Sequence, residues 1–167
     1  MMIRMKIPFV SLAVAGLLAL AGVAVANGKG AKTYRADLVP VNPAATTAGL
    51  PTVVGKSQLV DGKKNNKVSL HMRGLAADTT YLWHVHVGSC AATGAPVAGW
   101  TYRTQDAMSN GTLTSNAAGN ANTRGKSATF DADPTKSYSV NVHVATATNT
   151  LAAGTIIACG DLLQKKP

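Results

Sequence analysis

Tyr81-Leu82-Trp83-His84-Val85-His86-Val87-Gly88-Ser89-Cys90 is the stretch that decides the fold. Tyr81, Trp83, Val85 and Val87 recur at a period of two, the mark of a β-strand with one face on a core. His84 and His86 then fall together on the opposite face, about 7 Å apart along the strand. Three more runs share this pattern: Tyr34, Ala36 and Leu38; Val68, Leu70 and Met72; Tyr138, Val140, Val142 and Val144. Nothing of comparable length repeats apolar residues at helical spacing, and the surface Glu of such helices is missing from the whole chain.

Turn chemistry separates these runs. Asp61-Gly62-Lys63-Lys64-Asn65-Asn66 predicts a hairpin loop pairing residues 52–60 with 67–75. Asn116-Ala117-Ala118-Gly119-Asn120 predicts a second, pairing residues 111–115 with 121–125. The last strand is expected at residues 154–159, and residues 91–110 form a long connection without clear periodicity. About eight short strands in one domain imply an all-β fold, an antiparallel sandwich or barrel. There is no internal repeat.

The chain has 167 residues, a formal charge of +9, two cysteines, and seven acids that are all aspartate. That length suits one domain. Only 14% is charged and 46% is hydrophobic, which excludes disorder driven by charge excess. Without glutamate, an HExxH zinc hydrolase, a standard EF-hand and a glutamate general base are excluded. The positive charge is compatible with nucleic acid, an acidic surface or a small anion.

Arg4 and Lys6 precede an uncharged run from Ile7 to Ala26 that ends Ala24-Val25-Ala26. This pattern reads as a secretory signal, or as an N-terminal anchor if uncleaved, over residues 1–26. Cleavage after Ala26 leaves 14 basic and 7 acidic residues, a net +7. The expected organisation continues with a flexible tether at 27–32, the folded domain at 33–162 and a tail at 163–167. Export to the periplasm or cell envelope makes Cys90 and Cys159 an expected disulfide. Membrane contact is expected only through an uncleaved N-terminal segment. Lys63, Lys64 and Lys67 share one hairpin, but no exposed aromatics interleave with a basic stripe, so nucleic acid is not an expected partner. These lysines read as a solvated turn or as a contact for an anionic envelope surface.

Of the four histidines, three share a strand phase. In Val140-Asn141-Val142-His143-Val144 the valines face the core, so His143 projects from the same kind of outer face as His84 and His86. Three imidazoles with no thiolate or carboxylate suit copper or zinc. The ordinary alternative is a set of solvated surface histidines, and His71, on another strand, is assigned to it.

These residues resemble the copper/zinc superoxide dismutase family. Trp83-His84-Val85-His86-Val87-Gly88-Ser89-Cys90 looks like that family's His-Val-His copper strand and first disulfide cysteine. Gly74-Leu75, ten residues before His84, is similar to the turn before it. Val142-His143-Val144 resembles the later copper strand, and Ala158-Cys159-Gly160 the C-terminal motif whose cysteine closes the disulfide. The resemblance runs from Thr33 to Leu162. It implies an eight-stranded antiparallel Greek-key barrel or sandwich with its metal site outside, one copper ion at His84, His86 and His143, and superoxide as substrate.

The departures from that pattern are equally specific. Residues 91–97 lack the family's metal-bridging histidine, and no histidine occurs between His86 and His143. Near the family's zinc aspartate stand Ser109 and Asn110. No zinc site is therefore expected. The family's active-site arginine position, three residues before the second cysteine, is Ile156; Arg103 or Arg124 could serve instead as anion guides. The alternative function is a catalytically weak or inactive copper-binding or structural domain of a cell-envelope complex, with an envelope protein or a second copy as partner. Trp100 and Tyr102 could form a docking surface or cover the core. A histidine-rich Greek-key module of the CHRD type is a third possibility.

Overall fold

The computed structural model describes residues 30–62, 66–105, 109–145 and 154–166. The export segment at 1–26, most of the tether, and Lys63 and Lys64 lie outside the described residues. The described chain is all-β. Its strands are β1 (Lys32–Pro40), β2 (Val54–Asp61), β3 (Asn66–Arg73), β4 (Thr80–Ser89), β5 (Ala92–Pro96) and β6 (Thr101–Tyr102). They continue with β7 (Gly111–Thr114), β8 (Ala121–Ser127), β9 (Tyr138–Val144), β10 (Ile156–Asp161) and β11 (Leu163–Gln164). The one described helix, α1, is the four residues Ala44–Thr47.

All strand pairs are antiparallel, in the order β5-β4-β9-β10-β1-β2-β3-β8-β6, with β7 added to β4 and β11 to β1. The sheet curls on itself as a half-barrel. Strand β1 joins its two halves. Residues 32–38 pair with β2, whereas Val39 and Pro40 pair with β10. Between the halves lies the core, with Trp83, Val85, Val140, Val142 and Ile157 from one side and Leu38, Leu59, Val68 and Leu70 from the other. These are the alternate apolar positions of the sequence, removed from water by folding the sheet over itself.

The β2–β3 hairpin forms with the expected partners, Val60 opposite Lys67. The second expected hairpin does not. Its turn is present, with the Asn116 amide donating to the Asn120 carbonyl at 2.9 Å. Yet β7 pairs with β4 and β8 pairs with β3, so the turn carries the chain from one half to the other. A tight turn predicts a reversal, not which neighbour each strand will find.

Other boundaries shift as well. The long connection contains β5 and β6, the last strand starts at Ile156 and not Gly154, and eleven short strands are described against about eight expected. Lys32 already belongs to β1, and Leu163–Gln164 pair with β1. Trp100 and Tyr102 are core residues: Tyr102 meets Trp83 edge-on at 4.8 Å and Trp100 packs on Phe130. Neither offers a docking surface.

Candidate metal centre

Strands β4 and β9 lie side by side, and their register places His84 opposite Asn141, Leu82 opposite His143 and His86 opposite Ser139. Trp83, Val85, Val140 and Val142 occupy the core phase, so all three histidines point from the other face. That face is not open. His84 is 2% exposed, and His86 and His143 are 5% exposed each. The ordinary alternative of solvated surface histidines is thereby set aside for these three: strand phase determines only a direction away from the core, and the rings are buried there all the same.

The rings are gathered closely. His84 lies 4.5 Å from both His86 and His143 by ring centroids, and the latter two are 5.8 Å apart. One nitrogen from each ring lies within 4.8 Å of the others, so the three can hold a metal ion. Among the described residues no carboxylate or thiolate joins this group.

Two of the rings are oriented by backbone. His86 Nδ1 donates to the Gly94 carbonyl at 2.8 Å, and His143 Nδ1 donates to the Gly154 carbonyl at 3.0 Å. A carbonyl can only accept, so each Nδ1 carries the proton and each Nε2 keeps its lone pair. Both Nε2 atoms are buried without a hydrogen-bond partner, as are both nitrogens of His84. Such fixing of the remote nitrogen is what metal-ligating histidines normally receive.

The electrostatics agree. Burial, followed by the neighbouring His143 and His86, pushes His84 down to about 3. Burial likewise lowers His86 and His143, against the opposing effect of their carbonyl partners. All three are neutral near pH 7, the form that donates a lone pair.

The two glycines are part of the construction. A Cβ on Gly94 would stand 2.8 Å from the Val87 carbonyl oxygen, and one on Gly154 would stand 3.2 Å from His143 Cβ. Strand β5 and the approach to β10 come this close to the histidine strands because neither residue has a side chain. Sequence reading missed both carbonyls. It also missed Ser139 and Asn141, which are fully buried in the phase of His143, with Ser139 Oγ and Asn141 Nδ2 lacking hydrogen-bond partners. Their alternation with Val140 and Val142 was the available signal.

Cys90 and Cys159 form a disulfide with an S–S distance of 2.06 Å, as expected. It ties the β4–β5 turn to β10, and the Cys90 amide donates to Asp161 Oδ1 at 2.7 Å. Asn141 Oδ1, facing Cys159 across β9 and β10, lies 2.7 Å from its sulfur. The bond is consistent with an oxidising, exported compartment. No described helix is long and apolar enough to cross a membrane.

Arg103 and Arg124 are not brought to the histidines. They border a groove on the other half of the sheet, with the core between. His71 is exposed on β3, opposite Lys56 and Asn122. No protein-family model matches the chain, and no curated protein does.

Proposed function

We propose that His84, His86 and His143 hold one copper ion in an exported protein of superoxide dismutase type, which disproportionates superoxide to oxygen and hydrogen peroxide. The observation that carries the metal reading is the set of buried, unpartnered imidazole nitrogens. Leaving a buried polar atom unsatisfied costs about 1–3 kcal/mol, and a ligated metal ion removes that cost for all three rings together. An all-nitrogen donor set favours copper or zinc, and the resemblance of the His-Val-His strand and the two cysteines selects copper.

Bound there, copper would supply one-electron exchange in both directions. The chain supplies the rest. Gly94 and Gly154 hold two rings in one tautomer, and the burial of the three rings keeps bulk water from them. Two superoxide ions and two protons yield one oxygen and one hydrogen peroxide. With no acid among the described residues of the cluster, those protons are drawn from water.

The placement of Arg103 and Arg124 favours a second reading, a copper-holding domain of the cell envelope with little turnover, because neither stands by the site to attract an anion. Metal analysis and electron paramagnetic resonance of wild type and His143→Ala test the site. One copper per chain with nitrogen hyperfine structure that the substitution alters is the expected result; wild type without copper would overturn it. Pulse-radiolysis turnover of the copper form then separates the readings, since a rate no greater than that of free copper leaves only the copper-holding one.

A further inference from the structure

The outward face of the other half of the sheet carries cations in place of imidazoles. Lys67 on β3 stands directly opposite Lys126 on β8. Arg124 lies two residues along β8 on the same face, and the Arg103 amide donates to the Arg124 carbonyl at 2.8 Å. These four line a groove of about 720 Å³. Arg35 extends the face across β1. All five are exposed. The two ion pairs among the described residues, Lys56 with Asp37 and Lys136 with Asp133, include none of them.

Like charges directly opposite one another weaken a sheet. Their presence here, with no carboxylate among the residues that line the groove, calls for an anionic partner. The chain also constrains where that partner lies. The apolar run ends at Ala26, six residues before Lys32, a span of about 20 Å when fully extended. Lys32 pairs with Asp61, at the end of the sheet where Val60 faces Lys67. Lys32, the first strand residue after the apolar run, therefore stands at the same end of the sheet as Lys67 and Lys126.

We infer that this face of β3, β8 and β6 docks on an anionic lipid bilayer. A broad sheet face suits a broad surface, and each Lys or Arg near an anionic leaflet strengthens binding about fivefold. Docking of this face leaves the histidine cluster, across the core, turned away from the lipid.

Flotation of the full chain with vesicles tests the inference. Pure phosphatidylcholine vesicles measure what the apolar segment contributes, and vesicles containing phosphatidylglycerol add the charge. Stronger flotation on the anionic vesicles, lost in 1 M salt, is expected. Lys67→Gln with Lys126→Gln is expected to weaken that gain at least tenfold, whereas Lys136→Gln with Lys166→Gln, an equal change of charge elsewhere, leaves most of it. Circular dichroism matching wild type confirms that each pair folds. Equal flotation on both vesicle types, or equal losses in the two variant pairs, would overturn the proposal. Preferential, competing capture by soluble polyaspartate would overturn the lipid assignment in favour of an acidic protein.

Discussion

The two outward faces of the curled sheet obey the same alternation and end in opposite states. On β4 and β9 the residues pointing away from the core include three imidazoles, the Asn141 amide, the Ser139 hydroxyl and Leu82, all buried and the imidazole of His84 held neutral. On β3 and β8 they are lysine, histidine, arginine and asparagine, exposed to water, with a half-buried serine, Ser69, among them. The difference lies in what is laid over each face and in what its side chains tolerate. Imidazole can shed its proton and be buried neutral at modest cost, whereas a lysine or arginine cannot be covered without a counter-charge. A covered polar face therefore collects unsatisfied nitrogens, and an uncovered one collects unpaired cations. The first calls for a metal ion, the second for an anionic surface.

Several experiments bear on that contrast. The largest expected effect is on the staple at the end of the covered face. Replacing the disulfide by Cys90→Ser with Cys159→Ala is expected to destabilise the fold by about 4 kcal/mol, from the 69-residue separation. Hydrogen exchange should quicken first in β4, β5 and β10. Uniform acceleration that includes β2, β3 and β8 would show that the two halves do not differ in what the disulfide supports.

Next is the edge strand beside the histidines. Gly94→Ala places a methyl group 2.8 Å from the Val87 carbonyl oxygen, so β5 must shift and the carbonyl that orients His86 moves with it. Copper affinity measured by competition with a chelator is expected to fall 10- to 100-fold, the usual effect of losing such an orienting partner. Unchanged affinity would mean that β5 does not set the ligand geometry.

The pH dependence of the metal-free protein distinguishes the faces differently. An unfolded histidine titrates near about 6.5, and the folded His84 only near about 3. Between these values the unfolded chain binds the extra proton, so stability falls as pH falls, by up to about 1.4 kcal/mol per pH unit for this residue. Above about pH 6.5 both states are neutral and the contribution is flat. Urea unfolding from pH 7 to 4 should show the slope in wild type and a smaller one in His84→Leu. Equal slopes would show that burial does not hold this imidazole neutral.

The smallest effect belongs to the exposed face. Lys67→Gln relieves the repulsion with Lys126, and a gain of about 0.2–1 kcal/mol is expected at low salt, vanishing at high salt. A loss in its place would imply that the opposed lysines are already compensated in the free protein.

Much of both faces was legible in the sequence. Alternation identified β1, β3, β4 and β9, and the Asp61 to Asn66 turn identified the β2–β3 pair, because side-chain period and turn preference are local properties. The common phase of His84, His86 and His143 followed from the valines beside them. What the chain could not announce locally was pairing across distance. The turn at Asn116 to Asn120 looked like a hairpin, yet its two strands join opposite halves, because β4 and β3 offered β7 and β8 better edges than they offered each other. Ala92–Pro96 has no alternation to mark it as a strand; it exists because β4 has an edge to fill and Gly94 can approach it.

The sequence by itself determined the strand class, the single pair of thiols, and which polar side chains point away from the core, since each depends on residue type and a period of two. Only the tertiary structure decided that one outward face is sealed and the other open. Burial depends on which distant segments come to a strand, and here two glycine carbonyls, Gly94 and Gly154, accept from His86 and His143. That placement turned three outward imidazoles into a neutral, water-excluded nest of nitrogen donors, while Arg103 and Arg124 were left on the far side of the core.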